Sequence, residues 1–340
     1  MYKISLSEIN LLLDKISRLQ RLYLPAETEK GRGEYVLYGD GKEYAQNITN
    51  TVRSPKDFFF PQTENIAEFK IQGKSIEVKE SEALEDDFAV FGVRACDVKS
   101  FDILDRVFLS EPSDPYYKSK REHCTIISRA CNSWDETCFC TAFGIEPWMP
   151  EGDVTLWTDD NFMYWRDNTE KGKSLTEKLS GVLISCGNNT IEETVENIKS
   201  VFEKLPIKDI NLEYWKNTDE KEIFGSAVWD EIYTGCLGCG TCTFVCPTCQ
   251  CYDIRDFDTG NGVRRFRCWD SCMYSDFTKM AHGNPRKTQK ERFRQRFMHK
   301  LKYFPENNGG VFSCVGCGRC LKSCPQSINI VKVSRSMGNE

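Results

Sequence analysis

Apolar positions follow two different periods along the first two-thirds of the chain. Ile9, Leu12, Leu13, Ile16 and Leu19 fall on one face of a 3.6-residue repeat, and Ser5 with Glu8 three residues on reads as a capping box. A helix is therefore expected there, ending before Pro25. Residues 31–41 are glycine-rich and polar, a loop with a short strand at 35–38, and Phe58-Phe59-Phe60 before Pro61 belongs in a core before a turn. Phe88-Ala-Val-Phe-Gly-Val93 is an unbroken apolar run, the pattern of a buried strand. Helical spacing returns through Phe101, Leu104, Val107 and Phe108. Cys96 thus falls at a strand-to-helix turn, the edge of an α/β sheet where ligands bind. A second strand is expected at 124–128, and a hairpin at the sheet edge from 154–157 and 162–165 around Asp159 to Asn161. Helices follow at 175–183, at 191–205 and near Trp215.

These elements predict a mixed α+β or α/β domain over residues 1–220. Beyond Phe224 strand signals fade and cysteines crowd the chain. The expectation for 221–340 is a mainly helical, ferredoxin-like domain with an insertion at 252–313 that contains a helix at 289–302. The tail after Ile330 is expected to fray.

Composition narrows the class. The 340 residues are 40% hydrophobic and 28% charged, with mean hydropathy −0.50. There is no run of eighteen apolar residues to span a membrane, and Asp14, Lys15, Arg18 and Arg21 interrupt the only N-terminal stretch that could pass for a signal peptide. Eighteen cysteines in such a chain imply a reducing, cytoplasmic setting and metal rather than disulfides. Net charge is −6, yet residues 286–302 hold eight Lys or Arg against one Glu, so the remainder sums to −13. An acidic chain with one basic segment is not a nucleic-acid binder. That segment reads either as a solvated helix face or as a dock for an acidic redox partner such as a ferredoxin or flavoprotein. No phosphate loop and no G-x-G-x-x-G after a strand occur, so neither flavin nor NAD is expected on this chain. Its three histidines make no helical metal pair, and no catalytic residue is assigned.

The chemistry lies in a repeat. Cys236-x2-Cys239-x2-Cys242-x3-Cys246-Pro247 recurs as Cys314-x2-Cys317-x2-Cys320-x3-Cys324-Pro325. This is the spacing with which two-cluster ferredoxins hold [4Fe–4S] cubanes, the fourth cysteine of each run serving the other cluster. Cluster 1 is accordingly assigned Cys236, Cys239, Cys242 and Cys324, and cluster 2 Cys314, Cys317, Cys320 and Cys246. Gly238, Gly240, Gly316 and Gly318 supply unusual backbone angles, and each proline suits the first turn of a departing helix. Zinc sites favour two separated C-x2-C pairs, which makes zinc the lesser alternative.

Ten cysteines remain. Cys96, Cys131, Cys138 and Cys140 have the ligand count of a third cluster or a zinc ion, against unligated buried thiols. Cys249, Cys251, Cys268 and Cys272 form a further site or, as preferred here, line the two cubanes. Cys124 and Cys186 are expected in the core.

One combination goes beyond generic ferredoxin spacing. Phe91-Gly-Val-Arg-Ala-Cys-Asp97, Cys138-Phe-Cys140, Cys246-Pro-Thr-Cys-Gln-Cys-Tyr-Asp253 and Trp269-Asp-Ser-Cys272 stand together in this chain. They resemble the 4Fe-4S dicluster electron-transfer subunit of anaerobic sulfite reductase and its relatives, the beta subunits of sulfhydrogenases. The resemblance implies an electron-transfer subunit without a complete catalytic site. It would pass electrons from a flavin- and NAD(P)H-binding partner to a sirohaem-bearing sulfite reductase partner that reduces sulfite to sulfide. In the sulfhydrogenase relatives the partner is a nickel–iron hydrogenase. Ala95 in the R-x-C-D turn favours the sulfite reductase branch. The resemblance also favours a third cluster at Cys96, Cys131, Cys138 and Cys140.

Overall fold

The computed structural model describes residues 1–28, 31–81, 84, 86–208 and 210–337. Ten strands precede the first cysteine motif: β1 (Tyr2–Ser5), β2 (Arg21–Glu27), β3 (Gly33–Leu37), β4 (Thr63–Gln72), β5 (Ser75–Glu80), β6 (Phe88–Arg94), β7 (Cys124–Arg129), β8 (Val154–Thr158), β9 (Phe162–Asp167) and β10 (Ile184–Ser185). Two more, β11 (Tyr252–Asp258) and β12 (Gly262–Trp269), lie between the motifs. Eight of the twelve form one sheet in the order β10-β1-β9-β8-β7-β6-β2-β3. Its centre, β2, β6, β7 and β8, is parallel. The outer pairings are antiparallel.

Every residue of β6 is buried, because the strand is covered on both faces. Ala89 and Phe91 join Leu12, Leu13 and Ile16 of helix Ile9–Leu19 on one side. Phe88, Val90 and Val93 join Phe101 and Leu104 of helix Ala95–Phe108, with Phe59 and Phe60, on the other. A second, four-stranded sheet runs β11-β12-β4-β5, so the hairpin between the two motifs pairs with strands from the first hundred residues. A third core holds Trp215, Trp229, Phe293, Phe297, Ile330 and Val333.

Several expectations change. Ser5 makes no capping bond; its hydroxyl pairs with that of Ser7 at 2.8 Å, and a short 3-10 turn precedes the helix. The β8–β9 hairpin is interior, because β1 and β10 extend the sheet beyond β9. The later helices are Glu170–Lys178, Glu192–Phe202 and Leu212–Asn217. The 252–313 segment is not helical alone, since it carries β11 and β12 ahead of helix Gln289–Met298 and its π-helical continuation His299–Tyr303. Pro247 and Pro325 sit in turns rather than in the first turn of a helix. The tail is helix Ile330–Met337, with Ile330, Val331, Val333 and Met337 buried; the last three residues lie outside those described.

Candidate iron–sulfur sites

The repeat builds two like loops. Gly238 and Gly240 have φ of +67° and +73°, Gly316 and Gly318 of +59° and +77°. These are left-handed conformations that glycine adopts without strain. A short helix follows in each copy, Thr241–Phe244 and Arg319–Ser323, and the fourth cysteine then opens a turn: Cys249 N–H donates to the Cys246 carbonyl, as Ser327 N–H does to that of Cys324. Around these loops the chain leaves two cavities. One is lined by Cys236, Cys239, Cys242 and Cys324, the other by Cys246, Cys314, Cys317 and Cys320. Each wall thus takes three thiols from one copy and one from the other.

Arg296 lines both cavities. It is 3% exposed, its Nε has no hydrogen-bond partner, and its guanidinium donates to the Cys320 sulfur. Lys300, one turn on, lines the second cavity and donates to Thr248 Oγ1 at 2.8 Å and the Ser313 carbonyl at 2.9 Å. Lys56 donates to the carbonyls of Cys246 and Cys249, both at 3.1 Å. All three cations are buried, and none forms an ion pair with a carboxylate among the described residues. Burying unpaired cations is costly unless an anion compensates. A thiolate-bound cubane is such an anion. Burial pushes the Cys242 thiol up to about 11 and that of Cys314 up to about 12, whereas the hydrogen bond with Cys249 holds Cys246 well below the ordinary thiol range. Binding a cluster therefore displaces protons. Backbone N–H groups also point at sulfur, as Gly238 does at Cys236 (3.4 Å). All-thiol donors, glycine loops, the unpartnered Nε of a buried guanidinium and positive charge without a carboxylate partner fit iron–sulfur clusters. Among the described residues, no three His, Cys, Asp or Glu side chains close on one point as a single metal ion demands.

The basic segment 286–302 is therefore not simply a solvated face or a dock. Arg296, Lys300 and Lys302 are buried, and only Lys287 of its eight cations is exposed.

The sheet assembles the third set. Arg94 and Arg129 are register partners at the carboxyl ends of the parallel strands β6 and β7, and Cys96 and Cys131 each lie two residues further on. Cys140 faces Cys131, Cys138 and Cys317, and Cys96 faces Cys317 and Cys140. Cys96 and Cys140 thus pack with Cys317 of the second cavity, and Cys131 and Cys138 lie near Cys140. The join is close: Phe139 N–H donates to the Gly316 carbonyl at 2.9 Å, and a Cβ on Gly318 would lie 2.4 Å from the Thr137 carbonyl oxygen. Arg94 and Arg129 are buried beside this set, bonded to carbonyls and hydroxyls rather than to carboxylates. Arg319, inside the second motif, grips Asp97 with two bonds of 2.6 and 2.8 Å, both side chains buried.

Cys124 is a core residue and Cys186 packs against a core. Cys268 lies on β12 opposite Asp253, among charged side chains. Sequence reasoning missed Lys56, Arg94, Arg129, Arg296 and Lys300. Their only signal was an excess of basic residues near cysteines, which spacing rules do not read.

Residues 235–328 match the family model of the 4Fe-4S dicluster domain. With the geometry above, this defines an iron–sulfur electron-transfer protein. The chain is 35% identical over 296 residues to "Sulfhydrogenase 2 subunit beta" of Pyrococcus furiosus, covering 86% of this chain and 84% of that relative. It belongs to the family of sulfhydrogenase beta subunits. No solved structure matches it. Among the described residues, no helix is long and apolar enough to cross a membrane.

Proposed function

We propose that this chain relays single electrons inside an oxidoreductase complex, from a flavin- and NAD(P)H-binding partner to a sirohaem partner that reduces sulfite to sulfide. The observation that carries the relay is the contiguity of three all-thiol sets: Cys236/Cys239/Cys242/Cys324, then Cys314/Cys317/Cys320/Cys246, then Cys96/Cys131/Cys138/Cys140 against Cys317. Clusters bound at these thiols supply one-electron steps. A flavin partner is what divides the electron pair of a nicotinamide. The chain's own residues do the rest. The thiols fix position, the glycine loops bring backbone N–H groups to sulfur, and Arg296, Lys300, Arg94 and Arg129 offset negative charge in a dry interior.

In this reading residues 1–220 are a mixed α/β unit carrying the third set and 221–340 a two-cluster unit whose 252–313 insertion pairs with β4. The sulfite-reducing partner is supported by the motif combination around Arg94-Ala95-Cys96-Asp97. A second reading, in which the catalytic partner is a nickel–iron hydrogenase, is favoured by the 35% identity to a sulfhydrogenase beta subunit.

Cys242→Ala tests the relay. The variant should assemble with its partners, lose one cluster and abolish sulfite reduction driven by NAD(P)H. Activity that survives the loss of that cluster contradicts the relay. Co-purification of sirohaem or of a hydrogenase large subunit decides between the two destinations.

A further inference from the structure

Cys249, Cys251 and Cys272 lie outside both repeated motifs, and the two cavities have four thiols each without them. The fold nevertheless gathers them. Strands β11 and β12 pair with Tyr252 opposite Trp269, so the hairpin closes on its own base. There the Asp270 N–H donates to the Cys251 carbonyl at 3.0 Å. Cys251 and Cys272 share a side-chain hydrogen bond, and Cys249 faces both. Cys268, inside β12, does not join them. Two segments some twenty residues apart are thus clamped by a β-ribbon that brings the three thiols into one neighbourhood.

The surroundings are positive. Lys300 faces all three thiols, and Arg296 faces Cys249 and Cys272. Lys56 holds the Cys249 carbonyl. An anionic group held among these thiols would offset that buried positive charge. A structural zinc ion needs four ligands closing on one point, and among the described residues no group of even three His, Cys, Asp or Glu does so. An iron–sulfur cluster brings its own sulfide bridges and needs fewer protein ligands per metal.

We propose that Cys249, Cys251 and Cys272 hold an iron–sulfur cluster through three thiolates at the base of the β11–β12 hairpin, beside Cys242 of the first set and Cys246 of the second. Binding displaces the three thiol protons and changes no oxidation state. This centre adds to the relay a link between its two motif sites.

The test uses the full chain purified without oxygen. Iron, acid-labile sulfide and zinc are measured in the parent and in Cys251→Ser with Cys272→Ser; Cys249 is kept because its thiol hydrogen-bonds that of Cys246 in the second set. The double variant should lose up to about four irons and matching sulfide relative to the parent. Iron and sulfide equal to the parent overturn the proposal, and so does a loss of zinc alone. Should the double variant not fold, alkylation mapping of the folded, iron-loaded parent serves instead. Cys251 and Cys272 should resist modification until iron is chelated, and ready modification before chelation overturns the site. A parent without iron defeats the relay itself; a parent with iron and an unchanged double variant defeats only this cluster.

Discussion

The two copies of the cysteine motif share spacing, glycine conformation and the turn after the fourth cysteine, yet stand in unlike surroundings. At the first, Cys239 is exposed and Leu237 is 65% exposed, and a Cβ on Gly238 or Gly240 would first meet the side chain of Gln289 or Tyr274. At the second, Cys317 is buried, and a Cβ on either glycine would strike the backbone of residues 137–140. The same repeat thus lies at the surface in one copy and in the interior in the other. A motif sets where thiols point; the chain packed on it sets their dielectric, their charge and their access.

Changing the matching glycine in each copy breaks the comparison most sharply. Gly318→Ala should cost about 4 kcal/mol or more and impair docking of the 137–140 loop, because the new Cβ meets backbone. Gly240→Ala should cost about 1–2 kcal/mol, because the atom in its way is the movable phenol of Tyr274. Anaerobic denaturation of the two variants gives the difference, and equal costs would mean that the surroundings do not matter. Next in size is Asp97→Asn. It strands the buried Arg319 cation and should destabilise the chain by about 3 kcal/mol, with loss of iron at the second and third sets before the first.

Redox titration followed by electron paramagnetic resonance sharpens the electrostatic side. A reduced cluster carries one more negative charge, so removing a nearby cation lowers its potential. Arg296→Met should lower both motif clusters by some tens of millivolts, whereas Lys300→Met should lower the second more than the first. Unchanged potentials would remove these cations from the account. The smallest effect is expected at the surface. Leu237→Glu should leave iron content unchanged and slow electron exchange with a partner protein by less than about tenfold, measured by stopped flow.

Much of this was legible in the sequence, for local reasons. The apolar run 88–94 and the thiol repeat declare themselves within a dozen residues, so β6, β7 and the two loops are foreseen. What failed depends on distant partners. The β8–β9 hairpin looked like an edge because β1 and β10 are too short to signal that they cover it. The β11–β12 hairpin hid behind charge: Asp256, Arg264 and Arg265 break up its apolar residues, and its partner β4 lies some two hundred residues upstream. The tail appeared frayed because its apolar face finds its core only in the folded chain. The basic run read as surface since periodicity cannot reveal that Arg296 and Lys300 are buried among cysteines. The convergence of Cys249, Cys251 and Cys272 required the register of that same hidden hairpin.

The most direct measurement is iron and acid-labile sulfide per chain, with an absorption spectrum, on protein purified without oxygen. The account predicts a brown protein with at least about twelve irons and matching sulfide, rising to about sixteen with the hairpin-base cluster filled. A colourless protein holding zinc and no sulfide would contradict it.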